Sequence, residues 1–364
     1  MKTSDNIHFH WRLIQTGEDE LAIKKAQNNS NQSAFPDLKK QADFCKIAED
    51  LGIESVLVDL NYSKPDPTLL TTALSRQTNQ FGYIIAVRSG LLSPTLFTQQ
   101  INTLSTLSKN KIYLNVVAGH SPEEQKTYGD FLDREERYER TDDFLNICTQ
   151  FWNNNGDVDL DGKYIQVEKG LLKTPFVSKN SKRPFIFVAG GSQPAIDLTL
   201  KYGDCWMQLG NTVENLQDKL DPVLSAGKSV GLRFSIICRE TTEEAVVIAD
   251  QLFKNTEQNT DKQKTFISKS DSLSFKQNFN LTKEDWPSPN LWMGAVKTIG
   301  PTGIAIVGSY EEVAQKIMEY KAIGVSHFIF SGWPKQEEMI RFGTHVMPLI
   351  RTIEKSKQLT EVSE

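Results

Sequence analysis

A chain of 364 residues, 38% of them apolar, is long enough to bury a large core as two ordinary domains or as one large α/β barrel. Its net charge of -5, with both signs interspersed, argues against nucleic acid or an anionic membrane as partner. Cys45, Cys148, Cys205 and Cys238 form neither a CxxC pair nor a zinc-type cluster, so no metal is expected and a reducing, cytoplasmic setting is the simpler expectation.

The start, MKTSDNIHFHWRL, has no signal-type apolar run, and no charge-free apolar stretch of roughly 18 residues occurs anywhere, which predicts a soluble chain without a membrane partner. Short apolar runs then alternate with amphipathic stretches. IHFHWRL precedes 35–52, ESVLVDL precedes 66–77, FGYIIAVRS precedes 93–108 and KIYLNVVAG precedes 131–153. The pattern resumes with PFIFVAG before 193–202, CWMQLG before 211–227, LRFSIIC before 241–256 and SHFIFSG before 336–352. Eight units whose period switches from 2 to 3.6 predict a (β/α)8 TIM barrel in a single domain over 1–352. Two segments stand outside the count. Residues 154–183 read as a hairpin-bearing insertion, and 257–303 either as a long polar lid or binding loop or as a disordered surface insertion. Residues 353–364 read as a frayed polar tail.

In such a barrel the chemistry collects at the carboxyl ends of the strands. PFIFVAGGSQPAIDLTLKYGD runs a strand through Gly190, Gly191 and Ser192 into a helix. Exposed helix amides and a hydroxyl suit a phosphate, while Ser192 equally suits an ordinary N-cap. No GxGxxG follows an early strand, so a Rossmann-type NAD site is not expected, and no GxSxG points to hydrolysis. The helix carrying Arg134, Arg137, Tyr138 and Arg140 reads either as an anion site or as a solvated face. Asn115, an amide inside an apolar strand, needs partners that a heterocycle would supply. His8 and His10 share one side of the first strand, where His10 reads either as a proton donor beside a ligand or as a satisfied core histidine.

Several blocks in order carry a family resemblance: IAVRSGLLSPTLFTQQINTLSTLSKNKIYLNVVAGHSPEE, LDREERYER, FVAGGSQPAIDLTLKYGDCWM, SPNLWMGA and HFIFSGWPKQEEMIRFGTHVMPLI. Over about residues 7 to 350 the chain resembles the bacterial luciferase-like flavin monooxygenases, in particular their alkanesulfonate monooxygenase branch. The resemblance implies a dimeric or tetrameric (β/α)8 barrel that takes FMN as FMNH2 from a separate NAD(P)H-dependent flavin reductase. It also implies reaction with O2 to a flavin C4a-(hydro)peroxide that oxygenates a small organic substrate. By position, Asn115 would face the flavin ring, while Arg137, Tyr138, Gly191 and Ser192 would hold the phosphate. A non-prolyl cis peptide around Ala86 to Ser89 would belong to the flavin bed.

Departures from the branch bear on the substrate. Lys64 stands at its cysteine, Ser235 at its histidine, Ile299 at its loop arginine and Trp333 at its late tyrosine, whereas Arg233 matches. Trp333 and Ile299 predict a less polar pocket than a sulfonate needs. Lys64 reads as solvent-facing by default. Arg233 is expected to stabilise substrate or peroxide, with His10 beside it in the chemistry, and Trp11, Lys64, Ser235 and Trp333 to border the substrate. The same barrel also admits an F420-dependent oxidoreductase or a flavin-binding protein without catalysis.

Overall fold

A computed structural model describes residues 6–15, 35–108, 110–153, 156–178, 181–253 and 260–361. The first half alternates β1 (His8–Arg12), α1 (Leu38–Asp50), β2 (Ser55–Val58), α2 (Pro67–Leu74), β3 (Gly82–Val87), α3 (Pro94–Leu107) and β4 (Ile112–Val117). Two helices follow, α4 (Pro122–Thr127) and α5 (Arg134–Asn153), and then the antiparallel hairpin of β5 (Val158–Asp161) and β6 (Gln166–Gly170). The barrel resumes with β7 (Phe185–Ala189), α6 (Gln193–Tyr202), β8 (Cys205–Leu209), α7 (Val213–Ser225), β9 (Ser229–Arg239) and α8 (Thr242–Phe253).

The segment 257–303 is largely helical where it is described. It carries α9 (Thr260–Lys269), α10 (Leu273–Leu281), the two-residue β10 (Leu291–Trp292) and the single turn α11 (Val296–Ile299). Then come β11 (Ala305–Ser309), α12 (Tyr310–Ala322), β12 (Val325–Gly332), α13 (Lys335–Arg341) and α14 (Met347–Glu361). Eight parallel strands close in the order β1-β2-β3-β4-β7-β8-β9-β12, with β12 returning to β1. β11 and α12 fall outside the eight units read from the sequence. β8 accompanies β9 only through Arg233, and β11 takes over that edge from Ser235 to Arg239.

Helix starts follow from local chemistry. Asp66, Ser93 and Ser121 each precede a proline at the first helical position and each accepts the N–H three residues on, from Leu69, Leu96 and Glu124. The polar end of the chain does not fray at 353: α14 runs on to Glu361. The buried Glu354 carboxylate accepts from the Ile7 N–H, Lys321 and Arg351 at 2.6–2.7 Å, which ties this helix to the first strand.

Strand alternation sends Phe9 and Trp11 outward into the helix layer, where Trp11 packs on Phe330 and Phe342. The barrel interior is plugged by Leu57, Ile84, Phe187, Cys205, Met207 and Ile329. His10 lies in the same interior, its Nδ1 2.7 Å from Ser55 Oγ and its Nε2 3.1 Å from His327 Nδ1. All four cysteines are buried and free. Among the described residues no helix is long and apolar enough to cross a membrane, and no cluster of metal-ligating side chains occurs.

Candidate functional site

A cavity of about 480 Å³ opens at the carboxyl ends of the strands. Leu57, Met207 and Ile329, the top of the interior plug, form its apolar floor together with Ala86. Asp271 to Phe275, where α9 passes into α10, contribute to its wall. This inserted segment is anchored: the Asp271 N–H donates to His120 O, and Asn278 Nδ2 donates to Gly210 O.

One corner of the cavity gathers Ser192, Tyr138 and Arg134. Unlike Asp66, Ser93 and Ser121, Ser192 makes no side-chain cap to its helix. Its hydroxyl instead donates to Tyr138 Oη at 3.0 Å, so the first amides of α6 keep no cap from it. Arg134, one helical turn before Tyr138, places its guanidinium 5.5 Å from that ring's centroid. Two hydroxyls, a cation and a helix N-terminus therefore converge where an anion would be held. Gly190 has φ +143, a conformation side chains rarely adopt, and a Cβ there would lie 2.9 Å from Tyr138 Oη. At Gly191 a Cβ would meet Ser274 Oγ at 2.3 Å, so the cradle depends on both glycines.

Next to this corner, Asn115 Oδ1, Gln208 Nε2 and Ser274 Oγ are buried without a hydrogen-bond partner. Buried polar atoms left in this state are costly, and a planar ligand bearing alternating donors and acceptors would satisfy them. These residues would fit a flavin, with its ring beside Asn115 and its phosphate beside Tyr138 and Ser192.

The remaining wall is charged. Asp59 Oδ2 accepts from Arg12 Nε at 2.6 Å and from Lys64 Nζ at 2.5 Å, and Arg233 borders the same space. Burial opposes ionisation of Asp59, yet Arg12, Lys64 and Arg233 together hold its carboxyl well below the usual range. Burial lowers Lys64 to about 8 despite Asp59, and lowers Arg233 to about 10. His120, packed against Phe275, is also lowered by burial.

Several expected positions lie elsewhere. Arg137 does not line the cavity: its guanidinium is consumed by Ala118 O, Leu132 O and Asp271, and Arg134 takes the cavity-facing place instead. His10 sits beneath the floor as a core histidine, and Trp11 points out of the barrel. Ser235 is buried off the cavity, its N–H donating to Ile304 O. Trp333 and Ile299 pack with Ile237, Ala295 and Trp292 in a separate cluster, so the argument they gave against a sulfonate fails. Lys64 faces Asp59 and the cavity rather than bulk solvent. The cis peptide among the described residues joins Trp333 to Pro334, and the bonds from Ala86 to Ser89 are trans.

A family model described as luciferase-like monooxygenase matches residues 21–327. Among solved structures, the EDTA monooxygenase from Chelativorans sp. BNC1 is 18% identical over 96% of this chain and 94% of its own, with a TM-score of 0.76. A type II Baeyer–Villiger 3,6-diketocamphane monooxygenase from Pseudomonas putida, in complex with FMN, is 16% identical over 94% and 99%, with a TM-score of 0.67. An F420-dependent secondary alcohol dehydrogenase bound to an F420–acetone adduct is 14% identical over 95% and 99%, with a TM-score of 0.66. At such identities the likeness establishes the fold.

Proposed function

This chain belongs to the luciferase-like monooxygenase family, and we propose that it is an FMN-dependent monooxygenase that uses dioxygen to oxygenate a small organic substrate. A separate NAD(P)H-dependent flavin reductase delivers the cofactor as FMNH2, in keeping with a sequence that lacks a dinucleotide fingerprint of its own. When bound, the reduced flavin supplies the activation of dioxygen. The chain binds, orients and shields.

Tyr138, Ser192 and Arg134 hold the phosphate by charge-assisted hydrogen bonds, helped by the open amides of α6. Asn115 and Gln208 offer the unpartnered amide atoms that orient the ring over the apolar floor. The Asp271–Phe275 segment keeps water from that space. Arg233 stands across the cavity as a fixed cation toward substrate and developing negative charge.

The single observation carrying this reading is that Ser192 bonds to Tyr138 instead of capping its own helix. Fluorescence titration with FMN tests it. Saturable binding is expected, with Ser192→Ala and Tyr138→Phe each weakening it by about tenfold. Unchanged affinity in the double variant would refute the assignment. F420 is the competing ligand, because an F420-dependent dehydrogenase shares the barrel; tight F420 uptake without uptake of FMN would decide for it.

A further inference from the structure

The arc of the cavity wall next to Asn115 holds a buried ion pair. Ala86 on β3 pairs in register with Asn115 on β4, and Arg88, two residues nearer the mouth, also lines the cavity. The side chains of Arg88 and Glu124 are each only 6% exposed, and Arg88 Nη2 donates to Glu124 Oε1 at 2.9 Å. The same nitrogen reaches Leu60 O at 3.5 Å, Asn61 Nδ2 donates to Glu124 Oε1 at 3.1 Å, and the Tyr128 ring centroid lies 5.6 Å from the guanidinium carbon.

The pair does not use up the arginine. Nε and Nη1 of Arg88 are buried without a hydrogen-bond partner. A guanidinium cannot shed its proton to escape burial, so two unanswered donors on it are costly unless a bound acceptor meets them.

Their place in the barrel identifies the acceptor. Strands β3, β4, β7 and β8 are consecutive around the sheet. Ser192, in the anion corner, follows β7 on one side of Asn115, and Arg88 follows β3 on the other. Arg88 is therefore beside the ring position and away from the phosphate position. Of a flavin's two outer rings, the dimethylbenzene ring carries no acceptor, whereas the pyrimidine ring carries N1 and two carbonyl oxygens that flank one N–H. Asn115 Oδ1, also buried without a partner, is an acceptor for that N–H, and Arg88 supplies donors for what lies next to it.

We propose that Arg88 is the cation that tunes the bound flavin: it meets the pyrimidine edge of the ring and biases the site toward the reduced form. Reduction places negative charge over N1 and the adjoining carbonyl, so a fixed cation there stabilises reduced FMN more than oxidised FMN. Glu124 is a positioning residue that holds the guanidinium and partly offsets its charge. The proposal rests on the cavity's being the flavin site read above.

Anaerobic titration with oxidised and with dithionite-reduced FMN tests it, because the ratio of the two dissociation constants reads charge at the ring separately from overall affinity. The wild-type protein is expected to bind the reduced form about tenfold or more tightly, the scale of a hydrogen bond to a charged group. Arg88→Met alone would strand Glu124, so the double variant Arg88→Met/Glu124→Gln is the informative one. Its ratio should fall about tenfold, a drop of about 30 mV in the potential of the bound flavin. Arg88→Lys should retain part of the preference, and Glu124→Gln, which leaves the cation uncompensated, should raise it. A merely structural ion pair would weaken both forms alike in every variant. That result, or an unchanged ratio in the folded double variant, would overturn the proposal while leaving the cofactor reading intact. No saturable uptake of either form by the wild-type protein would sink the cofactor reading and the proposal with it.

Discussion

Nη2 of Arg137 lies 2.7 Å from Oδ2 of Asp271, joining the helix that supplies Tyr138 to the inserted segment that walls the cavity. The same guanidinium donates to Ala118 O at the end of β4 and to Leu132 O before α5. One buried side chain therefore fastens three parts of the site. Arg137→Ala is expected to destabilise the protein by about 3 kcal/mol, because it strands buried acceptors as well as Asp271. Asp271→Asn should cost less and instead expose the inserted helices to limited proteolysis. Urea unfolding and a proteolytic time course separate the two effects.

Gly190→Ala is expected to weaken FMN binding by about tenfold, since its Cβ would lie 2.9 Å from Tyr138 Oη in a backbone conformation that already disfavours side chains. Gly227, with φ +70 and nothing within 4 Å of an added Cβ, is the control. Gly227→Ala should carry a smaller backbone cost, because its φ lies in the left-handed region that alanine can enter, and leave FMN titration unchanged.

The barrel interior carries its own acid sensitivity. Burial, opposed by Glu54, lowers His10 from 6.5 to about 4, and burial beside His10 and His8 pushes His327 well down. Unfolded imidazoles take up protons below about 6.5 that the native ones refuse until about 4. Stability is therefore full above about 6.5 and drops as pH falls toward 4. Urea midpoints at several pH values should show that slope, and His10→Gln should flatten it.

The strands were legible because a parallel sheet covered by helices writes each one as a short, unbroken apolar run, as in ESVLVDL and PFIFVAG. β11 was not, since AIVGS follows directly on the insertion and gives no sign that it takes over the β9 edge. The following helix did leave a signal: Ser309 and Glu312 form a reciprocal capping box at the three-residue spacing that marks a helix start. In the site, Asn115, Tyr138 and Ser192 stood out as polar groups at strand ends or helix starts, and all three line the cavity.

The misplacements have geometric causes. Arg137 adjoins Tyr138 in sequence, but Arg134, a full helical turn before it, is the arginine that shares its face. Alternation placed His10 on the inner side of β1, but height along the strand decides who reaches the mouth. Arg12, two residues on, gets there, and His10 stays below the floor. The inward turn of Lys64 depends on Asp59, a pairing that only the folded turn after β2 creates.

The most direct test of the central claim is an anaerobic titration of the purified protein with oxidised and reduced FMN, followed by admission of air in the presence of candidate organic substrates. Saturable uptake of FMN that is weakened in the Ser192→Ala/Tyr138→Phe double variant, with oxygen-dependent product formed from an organic substrate, is the predicted result. No saturable uptake of either form of FMN would contradict the account.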